Sequence, residues 1–94
     1  MSKILIIEDD EFVRDLYKRY LEKAGFDVAI AVDGEAGLNE AKKQKYDLIL
    51  LDIMLPKKTG IEVLKSLRSS NDPGKDNPVF LLTNLGQEAV INEA

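Results

Sequence analysis

Four short apolar runs, each followed by a stretch with helical spacing, constrain this chain more than any other feature. They lie at residues 3–7, 26–31, 47–52 and 78–83. The first and third are continuous and end in acids, the pattern of strands buried on both faces. The second alternates weakly and suits a less buried strand. The fourth begins with Pro78, at the strand position that tolerates a missing N–H. After the first run, Val13, Leu16, Tyr17, Tyr20, Leu21 and Ala24 form one amphipathic helical stripe. Gly25 closes it where a left-handed residue is favoured. Asp33-Gly34 leads into a second helix over 35–43, poorer in apolar residues. A third covers 59–68, with Ile61, Leu64 and Leu67 on one face, and 87–94 opens a fourth. Strands and helices that alternate across short loops require parallel crossovers. The expected fold is α/β, a parallel sheet with right-handed connections and helices on both faces.

Ninety-four residues allow one small domain, read as spanning 1–94. The chain has no cysteine and no histidine. That excludes disulfides, thiolate nucleophiles and Cys or His zinc sites, and leaves carboxylates, hydroxyls and lysines to carry any chemistry. The net charge of -4 argues against direct binding to a nucleic-acid backbone. The apolar run Ile4-Leu5-Ile6-Ile7 is too short for a signal peptide or a membrane span, so a soluble, cytoplasmic protein is expected.

The polar residues cluster by position. Glu8, Asp9 and Asp10 follow the first strand, Asp52 ends the third and Thr83 ends the fourth. Open parallel sheets bind ligands beyond the carboxyl ends of their strands, at the point where strand order reverses. Three or four carboxylates at one rim repel one another and need a counter-ion. Oxygen ligands alone select a hard divalent cation, with magnesium expected. Each residue also has a plainer reading. An acid before a helix is a good N-cap, an aspartate at a strand end is a common turn residue, and threonine is a β-former. Their joint placement at one edge favours a site.

Three blocks carry a family resemblance: Ile4-Leu5-Ile6-Ile7-Glu8-Asp9-Asp10-Glu11; Leu48-Ile49-Leu50-Leu51-Asp52-Ile53-Met54-Leu55-Pro56 with Gly60; and Pro78-Val79-Phe80-Leu81-Leu82-Thr83. In order and spacing they resemble the receiver domains of two-component response regulators. The resemblance implies a flavodoxin-like, doubly wound parallel sheet with strand order 2-1-3-4-5, four of whose five βα units are present. It implies that Asp52 is the phosphoacceptor, served by a sensor histidine kinase, a phosphotransfer protein or a small phosphodonor. Asp9 and Asp10 would hold Mg2+, Asp10 most directly, with the Asp52 carboxylate and the Met54 backbone carbonyl completing the set. Thr83 would hydrogen-bond a phosphoryl oxygen and act as the switch. Pro56 and Gly60 would shape the loop after Asp52. Such a domain is not an enzyme beyond its own phosphorylation and dephosphorylation.

The pattern also departs from the family. No residue matches the family's fifth-strand lysine, so the chain is expected to be truncated and its phosphorylation impaired, with metal binding less affected. Thr59 replaces a common acid, and Asn84 a common small residue. An uncovered Val79–Leu82 edge and an uncovered Val13-Leu16-Tyr20 face lead to the expectation of a homo-oligomer. Two alternatives remain. One is an oligomerising scaffold without chemistry. The other is a magnesium-dependent phosphatase of the haloacid-dehalogenase kind, disfavoured because Met54 stands where its second aspartate belongs.

Overall fold

A computed structural model describes residues 2–55 and 58–82. The elements run β1 (Lys3–Ile7), α1 (Glu11–Lys23), β2 (Asp27–Ala31), α2 (Gly34–Lys43), β3 (Leu48–Asp52), α3 (Gly60–Ser69) and β4 (Val79–Leu82). All three strand pairings are parallel, and the order is β2-β1-β3-β4. The α/β reading and the first four places of the strand order hold. The helix expected at 87–94, with Thr83, Asn84 and Pro56, lies outside the described residues.

The chain steps from β1 to β2 in one direction, then back past β1 to β3 and on to β4. Right-handed crossovers of opposite direction put their helices on opposite faces, so α1 covers one side and α2 with α3 the other. The alternation along β1 divides accordingly. Ile4 and Ile6, with Leu50, meet Tyr17 and Leu21 of α1. Leu5 and Ile7, with Ile49 and Leu51, meet Leu38 and Ala41 of α2 and Val63 and Leu67 of α3. Helix α2 comes close because its inner face is small: a Cβ on Gly37 would lie 2.6 Å from the Ile7 side chain. Its scarcity of apolar residues is therefore the condition of its packing.

Two helical faces differ from expectation. In α1 no residue is fully buried; Tyr17 and Leu21 reach the sheet, whereas Phe12, Leu16 and Tyr20 are 77%, 45% and 73% exposed. The stripe is wider than the sheet surface under it. In α3 the buried residues are Gly60, Val63 and Leu67, and Ile61 faces outward. The start of α3 explains this. Gly60 N–H donates to the Ile53 carbonyl at 2.9 Å, and a Cβ at position 60 would strike the Asp52 carbonyl. Fixing Gly60 inward sets the phase for Val63 and Leu67. Gly25 follows α1 with φ 98°, as expected.

At the N-terminal rim of the sheet, buried Asn77 ties the loops before β3 and β4. Its Oδ1 accepts from Tyr46 N–H at 3.0 Å, and its Nδ2 donates to the carbonyls of Gln44 at 2.9 Å and Ala41 at 3.2 Å. Among the described residues, no helix is long and apolar enough to cross a membrane.

Candidate functional site

The site grows out of the β1–β3 register. Ile7 pairs with Leu51, so Glu8 and Asp52, one residue further along each strand, emerge side by side at the C-terminal rim. Strand order reverses here, the expected place for a ligand in a doubly wound sheet. Glu8 is 0% and Asp52 1% exposed, while Asp9 faces solvent. One carboxylate oxygen from each of Glu8, Asp9 and Asp52 lies within 4.8 Å of the other two.

Backbone groups orient the two buried acids. Glu8 Oε2 accepts from Asp10 N–H at 3.1 Å, and Asp52 Oδ1 from Met54 N–H at 3.1 Å. Amide dipoles stabilise carboxylates but bring no net charge. Buried ionised acids are normally paired or bound to a metal. Three oxygen donors at this spacing, two of them buried, fit a hard divalent cation such as magnesium.

Asp10 is not in the group. Its Oδ1 caps α1, accepting from Phe12 N–H at 2.9 Å and Val13 N–H at 3.2 Å. Asp10, expected to hold the metal most directly, caps the helix here, and Glu8 is the residue that stands with Asp9 in the group. The signal was available in the plainer reading of an acid before a helix as an N-cap. Met54 is 56% exposed and lines, with Asp9, Ile53, Leu55, Thr59 and Ile61, an open concavity of about 550 Å³. Thr59 closes a capping box. Its N–H donates to Glu62 Oε1 at 2.9 Å, and Glu62 N–H donates to its Oγ1 at 3.3 Å. The bond from Thr59 N–H foremost, and then one with the Thr59 side chain, hold the Glu62 carboxyl below its ordinary pKa.

The chain matches the response regulator receiver domain over residues 4–94. It belongs to that family. This receiver is 44% identical over 88 residues to the transcriptional regulatory protein CpxR of Escherichia coli K12, covering 94% of the chain and 36% of CpxR. The chain thus spans about a third of the length of the curated relatives it matches. Those names describe whole regulators, so the receiver's acidic balance says nothing of nucleic-acid contacts made elsewhere in them. Among solved structures, the receiver domain of the Pseudomonas aeruginosa histidine kinase PA1611 has magnesium coordinated in its active-site cleft. It is 26% identical with a TM-score of 0.84, covering 97% of this chain and 74% of that one. The Thermotoga maritima regulator TrrA, in complex with the histidine kinase ThkA, is 34% identical with a TM-score of 0.78, covering 89% and 70%. Receiver domains are signalling domains that work with histidine kinases. The flavodoxin-like assignment stands with the fold.

Proposed function

We propose that this chain is a single receiver domain over 1–94, acting in the cytoplasm, which accepts a phosphoryl group on Asp52 from the phosphohistidine of a sensor kinase or phosphotransfer protein. The observation that carries the reading is the buried Asp52 carboxylate beside Glu8 and Asp9 at the switch point. An Asp52 carboxylate oxygen attacks phosphorus in line. The P–O bond forms as the P–N bond breaks, and the electron pair leaves on the imidazole nitrogen, which takes up a proton from solvent. The product is an acyl phosphate on Asp52. Met54 N–H donates to Asp52 Oδ1 and orients the carboxylate. Glu8, Asp9 and Asp52 hold magnesium, with the Met54 carbonyl and the Thr83 hydroxyl assigned to metal and phosphoryl group from the family resemblance. When bound, magnesium neutralises phosphoryl oxygens and keeps the acids ionised.

Intact-mass measurement after incubation with an acyl phosphate and magnesium tests the reading. One added phosphoryl group is expected, however slowly it forms, absent with chelator and absent in Asp52→Asn. Labelling that persists in Asp52→Asn would reject Asp52 as acceptor. A second, compatible role is self-association. Phe12, Leu16 and Tyr20 on α1 and Phe80 on β4 expose large apolar side chains, a pattern associated with interaction sites. Sedimentation at micromolar concentration is expected to find a homodimer; a cooperative monomer throughout would remove this role.

A further inference from the structure

Arg14 lies in the first turn of α1, where a cation opposes the helix dipole. Long basic side chains on a surface helix ordinarily extend into water. Arg14 instead folds back along the loop it has just left. One guanidinium nitrogen donates to the Glu8 carbonyl at 3.1 Å and, less closely, to the Asp9 carbonyl at 3.4 Å. Its Nε is enclosed, with no hydrogen-bond partner among the described residues. Enclosing an unpartnered N–H is unfavourable, so the side chain does not adopt this course for its own sake.

The contacts close a ring. Glu8 Oε2 takes Asp10 N–H, Asp10 caps α1, and Arg14 of α1 returns to the carbonyls of Glu8 and Asp9. We infer that Arg14 is a positioning residue of the acidic site: it clips the β1–α1 loop by the main chain of two acid-bearing residues and so fixes their carboxylates relative to Asp52. The clip stands on its own contacts; its consequence for magnesium rests on the function proposed above.

Two variants of the full chain test it. Arg14→Met keeps the apolar stem and deletes the enclosed Nε, so it is expected to unfold as cooperatively as the parent. Arg14→Lys keeps the charge and loses the planar fork. In metal-free protein, amide hydrogen exchange at Asp10 is expected to quicken in Arg14→Met and to a lesser degree in Arg14→Lys. Magnesium titration followed by amide shifts is expected to give about tenfold weaker binding in Arg14→Met, as when groups that orient metal ligands are removed, and a smaller loss in Arg14→Lys. If Arg14 acted only as a nearby positive charge, Arg14→Met would bind magnesium more tightly and Arg14→Lys would match the parent. That result, or unchanged exchange at Asp10, overturns the inference. A parent chain with no magnesium response would reject the proposed metal site, and the exchange measurement would still decide the clip.

Discussion

Asp10 accepts two backbone N–H groups at the start of α1, and asparagine caps helices about as well as aspartate. Asp10→Asn is therefore expected to keep both the stability and the magnesium affinity of the parent, and Asp10→Ala to lose about 1 kcal/mol of stability. Glu8→Gln is expected to weaken magnesium binding at least about tenfold, since it removes one of three converging charges. Chemical denaturation and magnesium titration on the three variants separate cap from ligand; a weaker metal site in Asp10→Asn than in Glu8→Gln would reverse the assignment. The sequence made an acidic rim legible, with Asp9 and Asp52 in it. Which neighbour of Asp9 joins them was not legible, because that depends on where β1 leaves the sheet. Two adjacent acids look alike until the Ile7–Leu51 pairing fixes the last strand residue.

Helix α3 begins with two devices that act on different neighbours. Gly60 seats the helix against the Asp52 backbone, and the Thr59–Glu62 box satisfies its first N–H groups. Thr59→Ala is expected to cost about 1 kcal/mol, and the carboxylate half of the box should depend on pH. The Glu62 carboxyl has a lower pKa folded than its ordinary 4.5. Its contribution is thus complete above 4.5 and is lost as pH falls through the lower folded value. The gap in unfolding midpoint between parent and Glu62→Ala should be steady near neutrality and narrow in acid; a constant gap would detach the Glu62 carboxylate from the cap. The helices themselves were readable from their spacing, as were the β-strand runs. Their rotation was read less well. Of the expected face, Leu67 is buried and Leu64 packs partly buried against the core, but Ile61 faces outward and the backbone contact at Gly60 turns Val63 in. Nothing in apolar periodicity reports a contact that a glycine makes through its missing Cβ.

The two rims of the sheet carry different loads. Asn77 joins three backbone groups at the N-terminal rim, and Asn77→Ala, which leaves them buried and unpaired, is expected to cost about 2–3 kcal/mol. The acid group sits about 16 Å away, the length of a five-residue strand. Effects at such separation add, so Asn77→Ala combined with Glu8→Gln should show the sum of the single stability changes, with the magnesium affinity of Glu8→Gln alone. Denaturant midpoints and metal titrations on the four proteins check this; coupling beyond about 0.5 kcal/mol would mean the rims communicate. The strand polarity of a parallel sheet therefore has a bearing on how such a domain tolerates mutation over generations. Damage incurred while the loops at one end are remodelled for a new partner can be repaired by substitutions at the other end, without either change passing through the residues that do the chemistry.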